Sequence, residues 1–133
     1  MRQFINHHDH VAWVCHGENL KRYAEQLSAL ANVEMMGPFV RTDLGLSIYL
    51  SWEGGLEIVA PLDGVQNEFN APLRDRLAKN GEGVFAVVLG VPSLDEAKNR
   101  ARKLGYQPAE ELLATDSVTG RSPPWMHQHD VMR

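Results

Sequence analysis

Short apolar segments alternate with polar turns along this chain. Residues 10–15 form an apolar, β-branched run bounded by polar residues, which is typical of a buried strand. Apolar residues then recur at helical spacing after Asn19, a candidate N-cap, and the helix is expected to stop near Asn32. Three strand-like segments follow, at residues 33–40, 46–52 and 56–60, and Gly37-Pro38 predicts a bend or an edge position in the first of them. The predicted order is strand, helix, strand, strand, strand.

The same pattern begins again after a polar connector and a short predicted helix at residues 72–79. A continuous apolar strand at 84–89 precedes a helix that Ser93 and Glu96 can cap and Gly105 can end. Residues 106–114 suggest another strand, and 125–133 leave room for only one more. We therefore expect an α+β fold of paired βαβββ modules that form one curved, mixed sheet cup, with an incomplete second module.

Composition narrows the classes of protein that the chain can represent. Its 133 residues, 44% of them hydrophobic, suit one globular domain with a real core. The net charge of −4 gives little attraction to a phosphate backbone, so we expect no nucleic-acid partner. No apolar run approaches the ~18 residues of a membrane span, and the first residues lack a signal-peptide pattern. The single cysteine, Cys15, suits a reducing compartment and a packing role, so we expect a cytoplasmic protein.

Three segments together resemble the vicinal oxygen chelate superfamily, which includes glyoxalases, epimerases, bleomycin-resistance proteins and extradiol dioxygenases. They are Asp-His-Val-Ala-Trp-Val at 9–14, Leu-Glu-Ile-Val-Ala-Pro-Leu at 56–62, and the stretch 72–89, which is similar to the linker and following strand of methylmalonyl-CoA epimerases. The resemblance implies a single glyoxalase-like domain over residues 1–133. Module one would span about 7–62, the linker about 63–82 and module two about 83–133.

The resemblance also implies a divalent metal ion held by two ligands from each module, with Mn, Fe, Co, Ni or Zn as the candidates. His10 and Glu57 match the two ligand positions of the first module, and Glu57 is also the candidate catalytic residue. A carboxylate within an apolar strand is costly unless it is paired or binds a metal. The alternatives are an edge-strand glutamate that points to water and a strand-end histidine satisfied by Asp9 or by the backbone.

The second module departs from the superfamily pattern. Phe85 and Ala86 stand where relatives carry a histidine pair, and neither side chain can bind a metal. His127 and His129, two residues apart, could donate replacement ligands, and the alternative is a polar tail without a binding role. Apolar walls could come from Trp13, Tyr49 and Phe85, although each is more often a core residue.

Two classes of function stay open on these observations. The favoured class is a metal-dependent lyase, isomerase or dioxygenase that acts on a small oxygenated substrate. The alternative is a metal-free protein that binds or sequesters a small molecule in the same cup. We also expect a homodimer, because an incomplete second module would leave a sheet edge open to pairing.

Overall fold

The computed structural model describes residues 7–108 and 131–132. The chain divides into two units. One unit is residues 10–87, and the described residues of the other are 7–9, 88–108 and 131–132. The predicted α+β class and the order strand, helix and three strands are confirmed. The elements are β1 (His7–Val14), α1 (Gly17–Ala31), β2 (Met36–Arg41), β3 (Leu46–Ser51), β4 (Leu56–Pro61), α2 (Ala71–Asn80), β5 (Gly83–Gly90), α3 (Leu94–Lys103) and β6 (Val131–Met132).

The unit of residues 10–87 contains a mixed sheet in the strand order β2-β3-β4-β1-β5. β1 and β4 run parallel, while β2 and β3, and β3 and β4, are antiparallel. A parallel pair requires a long crossover between its strands, and α1 together with the β2-β3 hairpin supplies it. The register places Glu57 of β4 between Ala12 of β1 and Leu50 of β3.

One face of this sheet packs against α1. The helix buries Leu20 and Ala24 against Cys15, Ile58 and Ala60, which are all almost inaccessible to solvent. Partly buried side chains surround this cluster, namely Trp13, Tyr23, Leu27, Met35 and Tyr49. Because alternate residues of a strand point to opposite faces, the cluster fixes which face of the sheet the helix covers.

The start of α1 differs from the prediction. The expected N-cap, Asn19, lies inside the helix, and His16 occupies the cap position with extended backbone angles. The His16 side chain makes no capping bond, and its backbone N–H donates to the Glu82 carboxylate at 3.0 Å. The helix begins earlier than expected because a residue distant in sequence stabilises its first turn. Its end near Asn32 is confirmed, with Asn32 in the left-handed conformation at φ 51°.

β2 lies at the edge of the sheet, one of the two positions that Gly37-Pro38 suggested. The register shifts between Met36 and Phe39, and the Gly37–Pro38 peptide bond is cis. A side chain at Gly37 would put its Cβ 2.7 Å from the Ile48 carbonyl oxygen, so only glycine fits there. The irregular strand has fewer groups to offer to a further strand, as is common at sheet edges.

Asn70 is fully buried and joins the segments that lead into α2. Its amide nitrogen donates to the carbonyl oxygens of Gly45 at 3.0 Å and Val65 at 2.8 Å. Its amide oxygen accepts from the Asn67 backbone N–H at 3.2 Å and from Arg74 Nε at 2.9 Å. Both donor hydrogens and both acceptor positions of the amide are therefore used.

The strand and helix predicted after α2 are present as β5 and α3. The predicted cap of α3 is confirmed, since the Ser93 side chain accepts a hydrogen bond from the Glu96 N–H. Leu104 follows the last residue of α3 and is 65% exposed. Residues 106–108 form no regular structure, and the rest of the strand predicted at 106–114 lies outside the described residues. β6, within the segment 125–133, pairs with the end of β5.

Within the described residues, none of the helices combines the length and the apolar character needed to cross a membrane.

Candidate active site

His10 and Glu57 meet on the face of the sheet opposite α1. His10 Nε2 lies 2.7 Å from Glu57 Oε2, and the two side chains are 16% and 10% exposed. The two groups are therefore within hydrogen-bonding distance in a mostly buried setting, with a small part of each still reachable from solvent. An imidazole and a carboxylate so placed can share a proton or bind one cation together.

The strand register explains why these two side chains meet. His10 and Ala12 lie on one face of β1, because they are two residues apart. Ala12 is aligned with Glu57 on the parallel neighbour β4 and is completely buried. The methyl group of Ala12 takes up little room, so the imidazole of His10 can lean along the strand towards the carboxylate.

Apolar side chains surround this pair within the same face. Leu50 is aligned with Glu57. Val59 and Val14 are aligned with each other, two residues beyond Glu57 and four residues beyond His10. All three are at most 6% exposed. Such a setting strengthens electrostatic interactions, because water cannot screen them well.

Trp13 and Tyr49 lie on the other face of the sheet. Both pack against the cluster that α1 covers, so the structure does not bring them to the His10–Glu57 pair. The physical reason is the period of two along a strand, which turns Trp13 away from the face that carries His10 and Ala12. Phe85, the third candidate for a pocket wall, is partly buried in β5.

Two further pairs of residues bear on a metal site: Phe85 with Ala86, and His127 with His129. Phe85 and Ala86 lie in β5 and offer no ligand atom. His127 and His129 lie outside the described residues. Over the part of the chain that is described, no three His, Cys, Asp or Glu side chains converge as a metal centre requires. His10 and Glu57 offer an imidazole nitrogen and a carboxylate oxygen, two donor types that divalent ions accept.

A second polar cluster, missed by the sequence analysis, lies where Glu82 meets the start of α1. The Glu82 carboxylate accepts hydrogen bonds from the His16 N–H at 3.0 Å, the Asn19 side-chain amide at 3.0 Å and the Tyr23 hydroxyl at 2.8 Å. We call these four residues the Glu82 anchor. The sequence gives Glu82 no evident role, because two glycines flank it and no local pattern links it to α1.

The contacts of the Glu82 anchor shift the pKa values of Glu82, Tyr23 and the nearby thiol of Cys15. Burial opposes ionisation of Glu82, but the bonds from Asn19, His16 and Tyr23 outweigh it and hold the pKa of Glu82 below its ordinary value. The bond to Glu82 raises the pKa of Tyr23. Burial, followed by the charge of Glu82, raises the pKa of Cys15 to about 12. A thiol that stays protonated in a closed core is not a nucleophile, which supports the packing role expected for Cys15.

Several solved structures are similar in fold to this chain. A methylmalonyl-CoA epimerase variant from Streptomyces coelicolor, in complex with 2-nitronate-propionyl-CoA, is 22% identical with a TM-score of 0.64 over 85% of this chain and 81% of its own. The epimerase from Mycobacterium tuberculosis is 20% identical with a TM-score of 0.67 over 88% of this chain and 76% of its own. The fold is that of the methylmalonyl-CoA epimerases.

The expected resemblance to vicinal oxygen chelate proteins is thereby confirmed for the fold. A third epimerase structure, in complex with methylmalonyl-CoA and an ammonium ion, is 22% identical with a TM-score of 0.64 over 86% of this chain and 80% of its own. No protein-family model matches the chain. No curated protein matches it either.

Proposed function

We propose that the protein is a metal-dependent isomerase, or a related lyase or dioxygenase, that acts on a small oxygenated substrate at the His10–Glu57 pair. The observation that carries the proposal is the 2.7 Å approach of His10 Nε2 to Glu57 Oε2 on the face that α1 leaves uncovered. Strands that merely carried a solvated histidine and glutamate would not need to hold both in a largely buried contact.

The pair supplies two ligands of different kinds to a divalent cation. Such an ion, when bound, provides Lewis-acid stabilisation of an anion that develops on the substrate oxygens. His10 and Glu57 hold and orient that charge, and the apolar neighbours Leu50 and Val59 exclude water from it. His127, His129 or a second copy of the chain are the proposed sources of further ligands.

The substrate class follows from what the relatives bind. Epimerases of the same fold form complexes with coenzyme A thioesters that carry a carboxylate or a nitronate group. An acyl thioester with an acidic carbon next to two oxygen-bearing groups is therefore the first substrate class to test. In this role Glu57 would take or return a proton at that carbon, because a carboxylate in contact with an imidazole can pass a proton between substrate and His10.

The decisive experiment is elemental analysis of native protein together with its His10→Ala and Glu57→Ala variants. Stoichiometric divalent metal in the wild-type protein, lost in both variants and kept in Glu53→Ala, is the expected result. Glu53 is a suitable control because it lies exposed in the β3-β4 turn. Protein purified without any metal, and unable to take up Mn, Co or Zn at micromolar concentration, would contradict the metal-dependent function.

A metal-free binding protein is the second candidate, and Phe85-Ala86 favours it. An aromatic ring and a methyl group at the expected ligand positions make the site less polar. This candidate predicts that the protein contains no metal and that binding of an apolar small molecule survives treatment with a chelator.

A homodimer in the cytoplasm is the proposed setting for either function. Val84 and Val87 of β5 are 48% and 49% exposed, and a second copy of the chain could cover this apolar surface. The single cysteine suits a reducing compartment. Light scattering that gave the mass of one chain at working concentrations would contradict the dimer.

A further inference from the structure

Asn80 is the only asparagine of this chain that precedes a glycine. The other six are followed by residues with side chains, namely His7, Leu20, Val33, Glu68, Ala71 and Arg100. Asn80 is exposed and is the last residue of α2, and Gly81 follows with φ 72°. Because a glycine nitrogen has no neighbouring Cβ to hinder its approach, it can attack a preceding asparagine amide more readily than other residues can.

We propose that Asn80 is a site of spontaneous deamidation and isoaspartate formation, and that this modification loosens the Glu82 anchor at the start of α1. The surroundings leave room for the chemistry. A Cβ built on Gly81 would meet no atom within 4 Å, so a five-membered ring that joins residues 80 and 81 has space to form.

The reaction needs no partner other than water. The Gly81 backbone nitrogen attacks the side-chain amide carbon of Asn80, a carbon–nitrogen bond forms, and ammonia leaves with the proton that the nitrogen loses. Water then opens the resulting succinimide at either carbonyl. One product is aspartate in the normal backbone, and the other is isoaspartate, in which the chain runs through the former side chain and a free α-carboxylate remains.

One contact in the folded protein restrains this reaction. The Gly81 N–H donates to the Leu77 carbonyl oxygen at 3.1 Å, which closes the last turn of α2. The nitrogen can attack only while that bond is open. Terminal helical turns open at little free-energy cost, so the bond slows the conversion without preventing it.

The consequence falls on Glu82, two residues beyond Asn80. Isoaspartate lengthens the main chain by one methylene group before Gly81 and adds a negative charge close to the Glu82 carboxylate. The three hydrogen bonds that Glu82 accepts from His16, Asn19 and Tyr23 depend on direction. A main chain that is one methylene group longer between α2 and Glu82 cannot hold the carboxylate in position for all three. The first turn of α1 then loses the acceptor that satisfies the His16 N–H.

The test is to age folded protein at mildly alkaline pH and body temperature. Peptide mass mapping then follows the conversion of amide to acid at residue 80. Hydrogen exchange of the backbone amides at residues 16–20 follows the start of α1. Mass mapping is preferred to an isoaspartate assay because Asp63-Gly64 can isomerise without a mass change. Asn80→Gln removes the reactive pair, and Asn99→Gln, on the exposed side of α3, is the matched control.

We expect residue 80 to convert several-fold faster than Asn99, and aged wild-type protein to exchange several-fold faster at residues 16–20. Asn80→Gln should abolish both changes, while Asn99→Gln should keep both. Conversion at residue 80 no faster than at Asn99 would overturn the proposed site. Full conversion with unchanged exchange at residues 16–20 would overturn the proposed effect on the Glu82 anchor.

Discussion

The imidazole of His10 lies 2.7 Å from the carboxylate of Glu57, on neighbouring parallel strands that α1 and the β2-β3 hairpin separate in sequence. The pair depends on strand alignment, since Glu57 faces Ala12 in the register and His10 comes two residues earlier. The pair lies on the face opposite the helix-covered core, where Leu50, Val59 and Val14 are its buried apolar neighbours. Two experiments on folding can measure this contact independently of any activity.

A double-mutant cycle on His10 and Glu57 measures the coupling of the pair. We expect His10→Ala and Glu57→Ala each to lower the free energy of unfolding by about 1–3 kcal/mol, because each removes a close polar contact of a largely buried group. The double variant should lose less than the sum, by about 0.5–3 kcal/mol. Urea unfolding in the presence of a chelator gives these values without a contribution from metal. Additive losses would show that the two groups do not interact in solution.

The same double-mutant cycle, repeated with added Mn, Co or Zn, tests whether a cation binds at the His10–Glu57 pair. A ligand that binds only the folded state stabilises it in proportion to the logarithm of its concentration over its dissociation constant. We expect the wild-type protein to gain stability with metal and both single variants to gain none. Equal gains in wild-type protein and both variants would place the cation elsewhere.

Asn70→Ala should destabilise the protein by more than a surface substitution does. The variant removes four hydrogen bonds and leaves the Gly45 and Val65 carbonyl oxygens to find other donors in a buried site. An unsatisfied buried polar group costs about 1–3 kcal/mol, so a loss in that range or above is expected. Asn99→Ala on α3 is the control and should change the free energy of unfolding by no more than about 0.5 kcal/mol. Thermal or urea unfolding measures both, and similar small effects would contradict the role of Asn70.

The period of two along the strands was enough to predict much of the fold and the side-chain grouping within each strand. It puts His10 on the same strand face as Ala12 and Val14, and Glu57 on the same face as Val59, which agrees with the register in the structure. The period of two does not determine which face of the sheet a helix covers. Trp13 and Tyr49 therefore joined the expected pocket, although both pack under α1.

Contacts between distant segments were not predictable in this way. The partners of Glu82 lie 59 to 66 residues before it, and no local pattern connects them. Asn19 satisfied the sequence rule for a helix cap, yet its amide donates to Glu82. The helix starts three residues earlier than that rule predicts, at Gly17 with His16 as its cap. A carboxylate from outside the helix takes the place of the local cap. This is a tertiary contact, which the capping preferences of the local sequence do not describe.

Glu82 should make stability depend on pH in the acid range. Its pKa in the folded protein lies below the ordinary value of 4.5, so the folded state favours the charged form more than the unfolded state does. This contribution is fully present above pH 4.5 and is lost as the pH falls through the folded pKa. Glu82→Gln should therefore lower stability at neutral pH and flatten its decline in acid. Urea midpoints measured across that range provide the test, with exposed Glu25→Gln on α1 as the control.

Two results would separate the Glu82 anchor from a general effect of lost charge. Tyr23→Phe, which removes one of the three hydrogen bonds, should weaken the acid dependence partly, because two donors to the Glu82 carboxylate remain. Glu25→Gln should leave it as in the wild-type protein. An acid dependence that is the same in Glu82→Gln and wild-type protein would contradict the hydrogen-bonded carboxylate.

Cys15 should resist alkylation while the protein is folded. Only 1% of the residue is exposed, and burial together with the charge of Glu82 raises the pKa of its thiol to about 12. Thiolate is the reactive species, so at pH 8 both access and ionisation oppose reaction. Iodoacetamide labelling followed by intact mass should show negligible modification in native protein and complete modification in urea.

Because Cys15 packs beside Leu20 and Ala24, its labelling rate also reports how often α1 lifts from the sheet. Glu82→Gln should raise that rate, since the start of α1 is then less firmly held, and rapid labelling of the native wild-type protein would contradict the packing of Cys15 beneath the helix.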